Sequence, residues 1–358
     1  MKKDSIIFKN DIIRGDMEHI YARRYAWEEL DQKTVLVTGS YGMLASYLVY
    51  FLMYLRLEKG ICVSVCAQGR SLAKAKERFR DFFDMDGFCF LTADISLELP
   101  CDVPHADYIV HAASLASPQY YARYPAEVIE PNVIGTWNLL RYAKGQKARS
   151  FLFFSTGDIY GKVREAGCID ENTMGILNPL DLHSCYGESK RMGETLCAAF
   201  YREYGVKTVI ARIGHTYGPG MDLANDPRIF SALMKCAVNG TDLILHSDGR
   251  TRRPFCYAAD ATAAFLLLLL RGKHGEAYNV TNTGQFLSIL ELAQIIASIP
   301  KQKLHVRYQE RSSLDTYLDN DLNKENKPSE QKLRALGWNP EYDVQTGFSR
   351  VYQYFTGR

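Results

Sequence analysis

The stretch Lys33-Thr-Val-Leu-Val-Thr38-Gly39-Ser-Tyr-Gly42-Met-Leu-Ala45 carries two signals in direct succession. A short β-branched run reads as a buried strand, and the paired glycines after it open a helical period that continues from Met43 to Arg56. Gly39 permits a tight turn, Gly42 lets the backbone come close to a pyrophosphate, and the small Ala45 allows the helix to pack against the strand. The helix N-terminus is left free to hold an anion. The same residues would serve in a plain βα turn, but the strand before and the helix after favour a dinucleotide cradle.

Outward from this turn, strand-like and helical segments alternate. Ile61 to Ala67 is followed by a charged helix near Ser71 to Arg80, then by Tyr108-Ile-Val-His111 and a helix around Ala126 to Lys144. Ser150 to Ser155, a helix from about Cys185 to Tyr204, and Val206 to Ile213 complete the series. This alternation predicts an α/β fold: a Rossmann-type, doubly wound parallel sheet of six or seven strands with helices on both faces. Beyond Gly214 the segments become irregular, with Gly218-Pro219-Gly220 and a final helix near Val344 to Phe355. We read an N-terminal extension (1–31), a dinucleotide-binding domain (32–213) and a smaller α+β, substrate-capping part (214–358) that is free to interleave with it.

Composition narrows the classes of function. At 358 residues, 47% hydrophobic and 23% charged, the chain has ample material for one large or two medium cores. Lys and Arg number 43 against 41 acids, and no basic run forms a phosphate-backbone footprint, so no nucleic-acid partner is expected. Nine cysteines without a CxxC pair read as reduced thiols in a cytoplasmic protein, with Cys62 and Cys66 as neighbours on one strand face. The eight histidines show neither HxxxH nor HExxH spacing, and no metal is expected. Met1 to Asp31 lacks the apolar core of a targeting peptide. Ala258 to Leu270 is interrupted by Asp260 and falls short of the roughly 20 residues that cross a bilayer, so it reads as a buried helix, with no membrane partner.

A second constellation follows a strand end: Ser155-Thr156-Gly-Asp158-Ile-Tyr160-Gly161, then Tyr186-Gly-Glu-Ser-Lys190 near a helix start. A spacing of four puts Tyr186 and Lys190 on one helical face, where the ammonium and a nearby nicotinamide cation would lower the phenol pKa toward the working range. Tyr186 thus reads as a general base and Thr156 as a second hydrogen-bonding partner of the same substrate hydroxyl. Lys190 would also hold the nicotinamide ribose. At the end of the second strand, Val65-Cys-Ala67-Gln68-Gly-Arg70 lacks the Asp that grips a ribose 2′-hydroxyl. Arg70, with Lys74 one turn on, suits a 2′-phosphate, and equally suits a solvated helix face. Asp94 and Ile95 would flank an adenine.

With these motifs in order, the chain resembles the extended short-chain dehydrogenase/reductases that modify nucleotide sugars, the NAD-dependent epimerase/dehydratase group. The resemblance runs from about Lys33 to the end. It is carried by TGSYGMLA, Ala93-Asp94-Ile95, His111-Ala112-Ala113-Ser114, Asn132-Val-Ile-Gly-Thr136, STGDIYG, YGESK, Arg212-Ile-Gly-His-Thr-Tyr-Gly-Pro219, Arg253-Pro-Phe255 and Leu336-Gly-Trp338. It implies a tightly held nicotinamide, oxidation of sugar carbon 4 with Tyr186 as base, a 4-keto intermediate and usual return of the hydride. The cofactor so implied is NAD, with NADP left open by Ala67 and Arg70. Its binding residues would be Gly39, Tyr41, Gly42, Met43, Arg70, Asp94, Ile95, His111, Ala112, Ala113, Asn132, Tyr186 and Lys190. The family also implies a homodimer paired through two helices per subunit.

Within the group, Ser114-Leu-Ala-Ser117-Pro118 with Tyr120-Tyr121, and Cys185-Tyr186-Gly-Glu-Ser-Lys-Arg191, look most like UDP-glucuronate decarboxylases. Gly157-Asp158 departs from the usual Ser-Glu or Asp-Glu pair, and His215 stands where the family commonly has an Asn contacting the sugar diphosphate. Asp158 is the residue available to act at carbon 5. Arg253 is expected to grip a phosphate, and Ser117, Thr156 and His215 to contact the sugar nucleotide. His111 reads as a strand-end residue packed beside the cofactor. His183 is close enough to Tyr186 to face the sugar. The alternatives are 4-epimerisation, 4,6-dehydration, an NADPH-dependent reductase that releases its cofactor, and a non-catalytic binding module. The last leaves Thr156, Tyr186 and Lys190 without purpose.

Overall fold

The computed structural model describes residues 7–101, 103–163, 167–309 and 326–357. Its strands are β1 (Thr34–Thr38), β2 (Ser64–Gly69), β3 (Phe88–Thr92), β4 (Tyr108–His111), β5 (Ser150–Thr156), β6 (Cys168–Ile169) and β7 (Thr208–Ile213). Beyond them run β8 (His215–Tyr217), β9 (Leu243–Leu245), β10 (Arg252–Tyr257), β11 (Glu276–Val280), β12 (Phe286–Ser288), β13 (Val306–Tyr308) and β14 (Lys327–Pro328). Seven of these form one parallel sheet in the order β11-β7-β5-β4-β1-β2-β3. The order reverses between β1 and β4, which sets the ends of both strands at a topological switch point. β11 comes from beyond Gly214 and forms one edge of this sheet. Smaller sheets, β12-β10-β8, β13-β9 and β14-β6, lie apart from it.

The helices are α1 (Asp11–Tyr21), α2 (Met43–Lys59), α3 (Leu72–Phe79), α4 (Pro118–Arg123), α5 (Pro125–Glu130) and α6 (Thr136–Gln146). They continue with α7 (Ser184–Tyr204), α8 (Ile229–Asn239), α9 (Ala258–Arg271), α10 (Ile289–Ser298), α11 (Gln331–Arg334) and α12 (Val344–Thr356). Strand alternation sends Val35 and Val37 into a core shared with α2 and α9, and Leu36 into a second core shared with α6 and α7. That two-sided burial explains why β1 is apolar without a break. Leu266 to Leu269 of α9 are buried and Leu270 is partly buried, as the uninterrupted run from Leu266 requires. Among the described residues, no helix is long and apolar enough to cross a membrane.

Two local readings are corrected. The helix expected around Ala126 to Lys144 is divided: α5 and α6 are separated by a wide π-helical turn, Pro131–Gly135. Pro131 cannot donate a backbone hydrogen bond, and at Gly135 a β-carbon would lie 2.7 Å from Ile95 Cδ1, so both residues shape the turn. Cys62 is not a strand neighbour of Cys66, because its N–H bonds Asp31 Oδ1 at 2.7 Å before β2 begins. Among the described residues before Lys33, Phe8, Ile13, Met17, Ile20, Trp27 and Leu30 are built into the core. In α1 the fully buried Asp16 accepts from Tyr47 and Tyr257 hydroxyls at 2.9 and 2.8 Å and from Arg350 Nη2 at 2.7 Å. Burial raises the Asp16 pKa, and Arg350 opposes the shift most. α1 is thereby tied to α2, β10 and α12.

Candidate active site

The glycine turn is fixed by backbone geometry. Gly39 has φ of +61°, and a β-carbon there would lie 2.6 Å from Ala113 Cα, so no other residue fits without displacing the chain after β4. Gln68 braces the turn from β2: its Oε1 accepts from Gly39 N–H at 3.3 Å, and its Nε2 donates to the Ala93 carbonyl at 2.6 Å. Gly42 caps α2 without a side chain, and a β-carbon there would meet only Gly39 O, at 3.2 Å. The hydroxyls of Ser40, Ser114 and Ser117 are buried without a hydrogen-bond partner. An uncapped helix N-terminus beside orphaned buried hydroxyls fits a dinucleotide, with the pyrophosphate over Gly39 and Gly42.

The other expected cofactor residues divide by accessibility. Tyr41 covers Gly69, whose β-carbon would stand 2.4 Å from the Tyr41 ring. Met43 opens α2, its carbonyl accepting from Ser46 Oγ at 2.9 Å. Arg70 and Asp94 face each other with N–O of 3.8 Å, and Asp94 also accepts from Ser96 N–H. Gln68 turns inward, so no carboxylate stands at the end of β2. Ile95 is 3% exposed and packs beneath Gly135 in the second core, which leaves it no free face toward an adenine. His111 is buried and bonds Thr38 Oγ1, Thr136 Oγ1 and the Pro131 carbonyl at 3.0, 3.1 and 3.2 Å. Burial, reinforced by Lys190, pushes its pKa down to about 3, so it is a neutral clamp between β4 and the π turn. Ala112 and Ala113 follow it against Gly39. Asn132 Nδ2 donates to Val128 O and Ser189 Oγ at 2.9 and 3.0 Å, while its Oδ1 has no partner.

The second constellation converges in one cleft. Tyr186, near the start of α7, is 7% exposed and stacks on Tyr121 with ring centres 5.0 Å apart. Thr156, the last residue of β5, acts on the phenol to lower its pKa, and its own Oγ1 accepts from Asp158 N–H at 3.2 Å. Burial pushes the Tyr186 pKa well above its ordinary value, with the Asp158 carboxylate adding to the shift and Thr156 and Arg228 opposing it. Asp158 is raised by burial and held back by Arg253. His215 is pushed down to about 3 by burial, then by Arg253 and Arg228. Asp158 and His215 both retain accessible surface although protein surrounds them, the situation of side chains lining a deep cleft.

Lys190 differs from expectation. It does share a buried face with Tyr186, but Nζ donates to the Phe154 carbonyl at 2.7 Å and lies 5.9 Å from the Tyr186 ring centre. Burial lowers its pKa to about 7, against Cys197 and Glu194. Lys190 is held by the end of β5 and is not among the groups shifting the phenol. His183 is exposed at the N-cap position of α7, and Ser117 occupies the same position on α4 without capping it.

Four contributors went unread in the sequence. Gln68 sits where an acidic side chain was sought, and Tyr121 lies in a motif valued only for its resemblance. Arg228, bidentate to Asp226 at the head of α8, acts on both Tyr186 and His215. Glu194 lies one turn beyond Lys190; it accepts from Ser155 Oγ at 2.5 Å and from Arg212 Nη2 at 2.8 Å. The i to i+4 spacing of Lys190 and Glu194 was the available signal.

The model of the NAD dependent epimerase/dehydratase family matches residues 35–281. UDP-glucuronic acid decarboxylase 6 of Arabidopsis thaliana is 32% identical over 322 residues, covering 90% of this chain and 88% of the relative. Among solved structures, UDP-glucose 4-epimerase of Thermotoga maritima with UDP-glucose superposes with a TM-score of 0.75 at 23% identity, covering 90% of this chain and 99% of that one. UDP-glucuronic acid 4-epimerase of Bacillus cereus in complex with NAD gives 0.71 at 22% identity, with the same coverage.

Proposed function

This chain belongs to the NAD-dependent epimerase/dehydratase family, and from that premise we propose that it oxidises carbon 4 of a nucleotide sugar, with UDP-glucuronate as substrate and decarboxylation as the net reaction. When bound, NAD supplies hydride acceptance and return at carbon 4. Gly39, Gly42 and the head of α2 hold its pyrophosphate, and Lys190 its nicotinamide ribose. Tyr186 takes the proton of the carbon-4 hydroxyl, with Thr156 sharing that hydroxyl. A ketone at carbon 4 lies β to the carbon-6 carboxylate. The carbon 5–carbon 6 bond then breaks, carbon dioxide leaves, the electron pair enters the carbonyl as an enolate, and carbon 5 takes up a proton. Asp158, whose burial favours its protonated form, is the proton donor for carbon 5. Arg253, Arg228 and His215 supply charge and donors for the diphosphate.

The reading is carried by the presence of Asp158 in one cleft with Tyr186 and Arg253, and the decarboxylases similar to most of this chain support it. Gly157 supports a second reading: a β-carbon there would meet nothing nearer than 3.9 Å, leaving room for a 4-keto sugar to turn over, as in epimerisation. Incubation with UDP-glucuronate separates the two. The expected product is a UDP-pentose with release of carbon dioxide. Recovery of a uronate inverted at carbon 4 would replace decarboxylation with epimerisation, and loss of water from a nucleotide hexose would make Asp158 the base at carbon 5 of a dehydratase.

We also infer a homodimer joined through the α5–α6 and α7 face. Ile134 in the π-helical turn, Trp137 at the start of α6 and Met192 on α7 are each 45–46% exposed, more apolar surface than a solvated helix pair needs. Light scattering of the full chain is expected to give a dimer mass. Trp137→Glu is expected to weaken association by about 30-fold, the effect of losing an anchor worth about 2 kcal/mol. A wild-type monomer mass at micromolar concentration would reject the dimer. A cytoplasmic location belongs to the same proposal, supported by nine free thiols.

A further inference from the structure

β2 and β3 are parallel neighbours, and their register sets Cys66 directly opposite Cys89. Cys66 lies in the second core, and Leu91, two residues beyond Cys89, packs against that core, so the two thiols share one face of the sheet. Neighbouring strands run about 4.8 Å apart, inside the roughly 4.4–6.8 Å between α-carbons that a disulfide spans. Cys66 is 1% exposed, while Cys89 is exposed on β3, an edge strand. Two thiols in register, one reachable and one behind it, differ in kind from the exposed Cys62 and Cys168.

From this juxtaposition we propose that Cys66 and Cys89 form a redox-active pair, a modification site at which a low-molecular-weight disulfide oxidises the chain. The Cys89 thiolate attacks one sulfur of the oxidant, forming a mixed disulfide and releasing one thiol. Cys66 then loses its proton and attacks the Cys89 sulfur of that mixed disulfide, expelling a second thiol and closing the Cys66–Cys89 bond. Two electrons and two protons leave the protein, and one small disulfide is reduced to two thiols. The assignment of attacking and resolving sulfur has an electrostatic basis as well as a steric one. The proximity of Cys66 lowers the Cys89 pKa, while the same proximity and burial raise that of Cys66. The pair stands two residues before Gln68, which braces Gly39, so the cross-link forms beside the glycine turn.

Glutathione disulfide is the probe. The full chain is incubated with it, quenched with iodoacetamide and digested without reductant. The expected result is a cross-linked peptide pair containing Cys66 and Cys89, lighter than the two reduced peptides by two hydrogens and restored by dithiothreitol. In Cys66→Ala, Cys89 is expected to stop at the mixed disulfide with glutathione. Alkylation of reduced wild type is expected to be roughly tenfold faster at Cys89 than at Cys62 or Cys168 near neutral pH, as a lowered thiol pKa requires. If wild type yields only separate mixed disulfides and Cys89 alkylates no faster than those two cysteines, the pair is not redox-active. That result needs no variant, so a misfolded Cys66→Ala protein does not shield the proposal.

Discussion

Tyr186→Phe is expected to lower turnover by about 10²- to 10⁴-fold, the usual cost of removing a general base. The substitution keeps the ring, and with it the 5.0 Å stacking on Tyr121, so the pocket wall stays in place. Only the hydroxyl and its interaction with Thr156 are lost. Burial and the Asp158 carboxylate push the phenol well above its ordinary value, which makes it a poor base near neutrality. A cofactor cation beside it works in the opposite direction, because nearby positive charge favours the phenolate. The rate of the wild type should therefore rise with pH as the phenol loses its proton, and that limb should vanish in Tyr186→Phe. A stopped-flow measurement of the first half-reaction across pH gives both readouts. Near-wild-type turnover with the limb intact would assign the base elsewhere.

Gly42→Val is expected to weaken NAD binding by roughly 100-fold, about 2.7 kcal/mol, while leaving thermal unfolding close to that of the wild type. The two glycines of the turn differ in what they constrain. Gly39 sits at positive φ with its missing β-carbon against the Ala113 backbone, so a substitution there strains the fold itself. Gly42 has φ of −62°, open to any residue, and an added β-carbon meets protein only at Gly39 O. A branched side chain at 42 is thus tolerated by the chain and intrudes on whatever lies over the head of α2. Calorimetric titration with NAD, paired with a melting curve, separates the two effects. Unchanged affinity in a folded Gly42→Val protein would move the pyrophosphate away from this turn.

Most of what was legible in the sequence is local. β1, the glycine turn and α2 follow from a contiguous run, and the common face of Tyr186 and Lys190 follows from a spacing of four on one helix. The division of α5 from α6 was also written locally, in Pro131, but helical period reads through a proline that merely widens a turn. What escaped depends on partners distant in sequence. Gln68 reaches Ala93, and Arg228 acts on groups from α7 and β8. The Lys190 ammonium finds the Phe154 carbonyl instead of the phenol, because the end of β5 passes directly beside it. Nor does any motif mark Asp16, whose bonds to Tyr257 and Arg350 span 241 and 334 residues.

That last span bears on the timing of biosynthesis. At ribosomal rates of roughly 5–20 residues per second, the interval between the synthesis of Asp16 and that of Arg350 is on the order of 20–70 s. Through that interval α1 lacks its cationic anchor on α12, and a carboxylate is costly to bury without one. The favourable course is for Asp16 to stay hydrated while β1 to β5 and their helices assemble, and to be withdrawn from water when the guanidinium of α12 arrives. α1 is thus made long before it can be locked, and its docking records that α12 is in place.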